Sequence, residues 1–433
     1  MLYGMSLLSR RRSTLLSMML LCQITSTFAP SQSIRAASRE PNAASPAHAT
    51  ATGDQFATIV GPANWFTLDM YHSLRGNHGN LLFSPAGIFS ALTMMSSGAA
   101  GATKTEMVNT LHIGLPDEEL QSQLAPLRAR WQVKDRERGL RLYIANRAWG
   151  QLGVRFEDSF IRTSRAWCGA DIGQLDFRNE PEKARDAVNR WVEAKTAGLI
   201  TDFISSGTAI KDARLVLTNA VYFKGQWTFP FDSTRTKQAD FHLTATQSCK
   251  AAFMQLRNSL RYSAGDGLQI VELPYDDGRL SLFVLLTEKI DGLPGLEARL
   301  QPADLERWLS LATFNDVIVH LPRFRTTSQF DLGKNLRTMG MSSAFDPSTA
   351  NFSGISRNTK LFISAVFHKA YAEINEEGTQ ASAATNVIAS PKSIAIKPAT
   401  PVVFRADHPF IYLIRDNRSG SILFIGRMLD PTK

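Results

Sequence analysis

Cysteine is almost missing. Three cysteines in 433 residues, Cys22, Cys168 and Cys249, cannot make a disulfide framework. Long apolar runs are missing too. The run Leu15 to Leu21 is too short to cross a bilayer, and no other stretch is apolar enough to do so. The spacings that carry chemistry are also absent: there is no HExxH, CxxC, GxSxG or intact GxGxxG. The string from Gly98 to Thr105 fails as a phosphate loop because Thr103 stands where that motif needs glycine. These absences leave no catalytic site, metal site or cofactor to expect, so the chain reads as something other than an enzyme.

Charge is modest once the start is set apart. The net charge is +9 overall. Residues 1–53 hold Arg10, Arg11, Arg12, Arg35 and Arg39 against Glu40, which leaves 43 basic and 38 acidic residues, or +5, beyond them. That is too mild to argue for nucleic acid. Arg10-Arg11-Arg12, the apolar run and a Ser/Thr/Ala/Pro stretch to Gly53 have the layout of a secretory leader. The expectation is a signal peptide over 1–29, a linker over 30–53 and a domain over 54–433. The remainder would be exported to the extracellular space or periplasm as a monomer free of the membrane. Cys168 and Cys249 are expected as free, mostly buried thiols.

Along the domain, Phe56, Ile59, Ala63, Phe66, Met70 and Leu74 recur at helical spacing. Ser84-Pro85 reads as a helix start, with a buried helix over Ile88 to Met95. Residues 117–138 read as a helix that turns basic at Arg128, Arg130, Lys134, Arg136 and Arg138, a pattern that suits the helix dipole. Leu140 to Trp149 alternates as a strand, and Pro181 to Lys195 is helical. Arg214 to Phe223 is almost continuously apolar, the mark of a strand buried on both faces. Asp277-Gly278 between Leu268–Pro274 and Leu280–Leu286 signals a hairpin, and Val317 to Phe324 reads as another strand. His368 lies in an apolar strand, where a lone histidine is by default a satisfied core group.

The stretch from Glu373 to Ile396 stands apart. In an extended chain Thr379, Ala381, Ala383, Thr385, Val387 and Ala389 share one face, and all are small or β-branched. Gln380, Ser382, Ala384, Asn386, Ile388 and Ser390 share the other, which is mostly polar. The first face fits the interior of a packed sheet; composition alone would also allow a flexible loop.

Several segments in order resemble the serpins, the suicide serine-protease inhibitors. They are FSPAG with GAAGAT and Met107; NAVYFKGQW followed by Phe231; HLPRF ending at Phe324; FDPSTANFSGI; the terminal strands around Phe404–Arg415 and Ile422–Arg427; and Glu376-Glu377-Gly378-Thr379 through Gln380, Ala381, Ser382, Ala383, Ala384 and Thr385. Gly87 departs from the family, which usually has serine there. The resemblance implies an α+β fold with three sheets, eight or nine helices and an exposed reactive-centre loop over about 376–396. It implies cleavage of the Lys392–Ser393 bond by a trypsin-like serine protease, insertion of the loop into the central sheet, and a covalent 1:1 complex. It also implies a pair between Glu376 and Arg323 at the loop root, and a network among Ser84, Asn219 and His368 beneath the sheet, one hydroxyl short because of Gly87. A sulfated polyanion activator at Arg128–Arg138 is a further implication, set against a plain solvated face interrupted by Asp135 and Glu137. The alternatives are a non-inhibitory carrier, storage or chaperone member, or an inhibitor of cysteine proteases.

Overall fold

The computed structural model describes residues 56–131, 134–135, 140–275, 278–376 and 400–433. In chain order the elements begin α1 (Ala57–Leu74), β1 (Leu81–Phe83), α2 (Pro85–Ser96), α3 (Gly101–Thr110), α4 (Asp117–Trp131), β2 (Lys134–Asp135) and β3 (Leu140–Gln151). Next come α5 (Asp158–Cys168), β4 (Asp171–Leu175), α6 (Pro181–Lys195), β5 (Leu215–Lys224), β6 (Lys237–His242), β7 (Ser248–Gly265), β8 (Leu268–Tyr275) and β9 (Leu280–Thr287). The chain continues through α7 (Leu293–Arg299), α8 (Pro302–Ser310), β10 (Thr313–Pro322), β11 (Phe324–Asp331), α9 (Gly333–Thr338) and β12 (Ile363–Ile374). It finishes with β13 (Val402–Arg405), β14 (Phe410–Asp416) and β15 (Ile422–Met428).

Local chemistry explains most of these boundaries. Ser84 caps α2, its side-chain oxygen accepting from the Gly87 amide at 3.3 Å, and Pro85 fills the first turn. Every residue of α2 is buried, as a helix apolar all round must be. Strands β8 and β9 pair antiparallel as the hairpin signal predicts, with Gly278 at φ 78°, a conformation glycine reaches without cost. Two boundaries differ from expectation. Helix α4 stops at Trp131, and Lys134 begins a short strand on β3; Arg136 and Arg138 lie outside the described residues. The run from Val317 to Phe324 is split: β10 ends at Pro322 and Phe324 opens β11.

Among the described residues hydrogen bonding links the strands into two continuous ladders, one of which β7 joins from two groups of strands, within the α+β architecture expected. The nine-stranded sheet runs β1-β15-β14-β9-β8-β7-β10-β13, with β6 on β7. Strand β7 is long enough to join two groups: it pairs with β6 at its start, with β10 over Phe253–Tyr262, and with β8 over Tyr262–Gly265. The six-stranded sheet runs β11-β12-β5-β3-β2, with β4 on β3. Helix α2 touches β3 and β5 of this sheet and β15 of the other. The main core lies along it.

Candidate functional site

The site is built where β12 ends. Beyond Ile374, Asn375 and Glu376 are held by three separate segments. The Trp227 indole donates to the Asn375 carbonyl at 2.7 Å. The Phe231 amide donates to the Glu376 carbonyl at 3.1 Å. The Glu376 carboxylate pairs with Arg323 and accepts from the Thr236 hydroxyl at 2.6 Å. Glu376 is only 5% exposed: the acid of the pair is buried and only the arginine reaches solvent. Burial alone would raise the pKa of Glu376, but the bonds to Arg323 and Thr236 outweigh it and the net shift is downward.

Beneath the root runs a seam. Strands β12 and β5 are parallel neighbours, paired from Ile363↔Leu215 to Ala372↔Phe223, while each is antiparallel to its other neighbour. Parallel ladders are slightly weaker per residue than antiparallel ones. Alternation puts His368, Ala370 and Ala372 on one face of β12, all buried. On the opposite face Tyr222 and Tyr371 stack across the seam, centroids 5.2 Å apart and planes within 14°.

A closed ring of hydrogen bonds ties the seam to the start of α2. The Ser84 amide donates to His368 Nε2 at 3.1 Å. That leaves the proton on His368 Nδ1, which donates to Asn219 Oδ1 at 2.6 Å. Asn219 in turn donates to Asn146 Oδ1. Asn146 donates to the Gly87 carbonyl at 3.3 Å, and the Gly87 amide donates back to the Ser84 hydroxyl oxygen at 3.3 Å. The Ser84 hydroxyl donates to the Leu423 carbonyl on β15 at 2.8 Å. Burial pushes the pKa of His368 down to about 3, so the ring contains a neutral imidazole.

The hydroxyl missing at Gly87 is therefore replaced by main-chain groups. A Cβ at Gly87 would fall 2.6 Å from Asn219 Nδ2 and 2.8 Å from Asn219 Oδ1, with Val221 Cγ2 at 3.0 Å; the space a serine would need is filled by Asn219 and Val221. The sequence reading missed Asn146, Trp227 and Thr236. Asn146 carried a usable signal: an asparagine inside the apolar strand Leu140–Trp149 must find buried partners. Trp227 and Thr236 meet residues about 140 positions away, which no local pattern encodes.

The other predicted residues fall elsewhere. Glu377, Gly378, Thr379, Gln380, Ala381, Ser382, Ala383, Ala384, Thr385, Lys392 and Ser393 lie outside the described residues. Of the basic cluster, Arg130 packs over the Phe56 ring, 5.2 Å from its centroid, and so is partly spent on packing. Cys249 is a half-buried free thiol, 3.8 Å from the Asp430 carboxylate.

A family model described as "Serpin (serine protease inhibitor)" matches residues 62–431. Leukocyte elastase inhibitor A of Rattus norvegicus and leukocyte elastase inhibitor of Homo sapiens are each 35% identical over 376 residues, covering 84% of this chain and 97% of theirs. Serpin B4 of Homo sapiens is 33% identical over 384 residues with the same coverage. Among solved structures, uncleaved ovalbumin superposes with a TM-score of 0.77 at 26% identity, covering 86% of this chain and all of its own. Serpin48 of Tenebrio molitor gives 0.76 at 28%, covering 88% of this chain and all of its own. The expectation of an exported, extracytoplasmic protein is corrected by these relatives, since the leukocyte elastase inhibitors and serpin B members form an intracellular branch. Residues 10–21, which carry the basic-then-apolar pattern, lie outside the described residues. Two sheets flanking a buried helix, a parallel seam with a polar ring beneath it and the match across residues 62–431 agree: the chain belongs to the serpin family of serine protease inhibitors.

Proposed function

We propose that the chain inhibits a trypsin-like serine protease by offering Lys392–Ser393 for cleavage and then drawing residues from Thr379 onward into the β12/β5 seam. Serpins form covalent complexes with their target proteases, and loop insertion is the family's known mode of action, taken over from the family at this step. The protease serine oxygen attacks the Lys392 carbonyl carbon, the Lys392–Ser393 bond breaks, and Ser393 leaves as a free amine. Lys392 remains as an ester on the protease. A trypsin-like pocket carries an acid, which the lysine ammonium matches.

One observation carries the reading: β12, which leads into the loop, lies parallel to β5. A strand that continues from β12 and folds back beside it runs antiparallel to β12, and hence antiparallel to β5 as well. Its insertion would replace one parallel pairing by two antiparallel ones. Strand β12 has 12 residues, and Thr379–Ser390 has as many. Insertion would gain on the order of ten backbone hydrogen bonds at a net ~0.5–1.5 kcal/mol each, or roughly 5–15 kcal/mol. The glycine at 378 and the small residues after it suit entry between packed strands.

A second reading keeps the mechanism and moves the bond. The relatives are named for leukocyte elastase, whose class has a small specificity pocket, and Val387 and Ala389 suit such a pocket. Incubation with trypsin and, separately, with leukocyte elastase separates the two readings. The expected result is a covalent band on a denaturing gel with trypsin and a released peptide that begins at Ser393. With Lys392→Ala the trypsin rate should fall at least ~100-fold, because the acidic pocket is left unpaired, while Lys392→Arg keeps it. A trapped complex whose peptide begins at Ile388 or Ser390 supports the elastase reading. Clipping without a covalent band refutes inhibition.

A further inference from the structure

Three tyrosines form a row across the six-stranded sheet, on the face away from His368. Tyr143 on β3 is in register with Tyr222 on β5, and Tyr222 with Tyr371 on β12. The Tyr143 and Tyr222 rings lie 6.1 Å apart and are tilted by 42°. Tyr222 and Tyr371 are closer, at 5.2 Å, and stacked. Only this second contact spans the seam. Alternation puts Phe367, Lys369 and Tyr371 on the outer face of β12, opposite Thr218, Ala220 and Tyr222. Of these outward pairs the tyrosine stack is the one nearest the loop root at Glu376.

Hydrogen bonds tie Tyr371 to that root. Its hydroxyl donates to one Glu373 carboxylate oxygen at 3.2 Å, and the Asn375 amide donates to the other at 3.4 Å. Asn375 is also the residue whose carbonyl the Trp227 indole holds. On the inner face the last pair of the seam is Ala372 opposite Phe223, where the alanine offers a single methyl. A strand entering from the root therefore meets the tyrosine stack as the first cross-seam contact between two large side chains. Neighbouring strands lie about 4.8 Å apart, so two strands with a third between them lie about 9.6 Å apart. Rings with centroids 5.2 Å apart cannot stay stacked across that gap. We propose that Tyr371, by stacking on Tyr222, is the latch of the seam: it sets the rate at which the cut loop enters, and so the fraction of acylated protease that is trapped rather than released. The proposal rests on reading residues from Thr379 onward as the inserting strand. The stack acts after the first cut, so it changes the contest between insertion and ester hydrolysis and leaves the rate of cutting alone.

The test compares the full chain with Tyr371→Ala, Tyr371→Phe and Tyr143→Ala. The phenylalanine keeps the ring and loses the bond to Glu373. Tyr143→Ala makes the same truncation on the side of Tyr222 away from the seam. One readout is the ratio of trapped to clipped chain with trypsin and with leukocyte elastase. The other needs no protease: the rate at which a labelled synthetic peptide with the sequence of residues 379–390 enters the intact chain, followed on native gels. Tyr371→Ala is expected to raise both about 3- to 10-fold, the worth of one aromatic pair, with the rate of the first cut unchanged. Tyr371→Phe and Tyr143→Ala should match the wild type. Peptide uptake by Tyr371→Ala at the wild-type rate overturns the latch, as does an equal gain in Tyr143→Ala, which would mean a general loosening of the sheet. Faster uptake with an unchanged ratio of trapped to clipped chain overturns its link to trapping. A wild-type chain that takes up peptide but is only ever clipped ends the inhibitory reading, while uptake still decides the latch. No uptake by the wild type or by Tyr371→Ala overturns both.

Discussion

The two sheets differ in what holds their centres. In the nine-stranded sheet, β9 and β14 are antiparallel, and β9 is buried at every position. From Leu282 to Leu286 its pairing is with the apolar stretch of β14, Phe283↔Leu413 and Val284↔Tyr412 among them, and its polar bonds at Ser281 lie at the strand's start. In the six-stranded sheet the central pair is parallel, β12 with β5, and its inner face carries His368 and Asn219 among Leu217, Val221, Phe223, Ala370 and Ala372. The first sheet is closed mainly by packing. The second adds to its packing directional bonds to a helix start and a buried acid at its top. That contrast suits a molecule that keeps one sheet fixed while a strand enters the other.

Charge at the root should break the contrast most strongly. In Glu376→Lys the new ammonium meets Arg323 in a place where the wild-type acid is nearly buried, and leaving such a charge unpaired costs several kcal/mol. The Trp227 and Phe231 contacts to Asn375 and Glu376 should loosen with it. Mild heating followed by size-exclusion chromatography is expected to show polymers. Glu376→Gln, which keeps an acceptor for Thr236, should form fewer. A monomeric Glu376→Lys chain after heating would mean the root does not hold the seam.

Gly87 offers a smaller effect from below. Gly87→Ser restores the residue usual in the family, yet its Cβ would crowd the Asn219 amide. The ring must shift, at a cost of ~1–3 kcal/mol for overpacking a tight site. A lower guanidinium midpoint is expected, together with faster hydrogen exchange along β5 and β12 and unchanged exchange in β9 and β14. A midpoint raised above the wild type would show that the ring adapts and that Asn219 fills the space only by default.

Acid should sharpen the comparison more gently. His368 has its folded pKa pushed down to about 3 from an ordinary 6.5. Between these values the unfolded chain binds a proton that the folded chain does not. This contribution to stability is therefore complete above pH 6.5, falls as pH drops, and is exhausted near pH 3, at up to ~1.4 kcal/mol per pH unit. His368→Gln can keep both ring bonds without titrating, and should show a shallower loss of stability between about pH 6.5 and 5 in urea titrations. Identical pH profiles would remove His368 from the account.

Much of this arrangement could be read from residue order. The Ser84 cap, the continuous apolar strand at β5, helix α6 and the β8–β9 hairpin follow from local chemistry. Residues that must satisfy one another across the chain were harder to find. The ring closes only because Asn146 and Gly87 are brought together from strand β3 and helix α2, and β7 joins two groups of strands because a tertiary partner exists at each end. The end of α4 at Trp131 was missed for the converse reason: the basic run up to Arg138 is as compatible with a strand edge as with a helix.

The central claim is that the β12/β5 seam accepts the loop once it is cut, and unfolding of the cut chain tests it most directly. Intact and loop-cleaved protein, and the same pair for Thr379→Arg, would be titrated with guanidinium. A strand that enters the seam should raise the midpoint of the cleaved wild type far above that of the intact chain, in keeping with roughly 5–15 kcal/mol of new backbone bonding. Thr379→Arg must bury a charge at the first step, so after cleavage it should stay near the intact value. Equal midpoints for intact and cleaved wild type would contradict insertion at this seam.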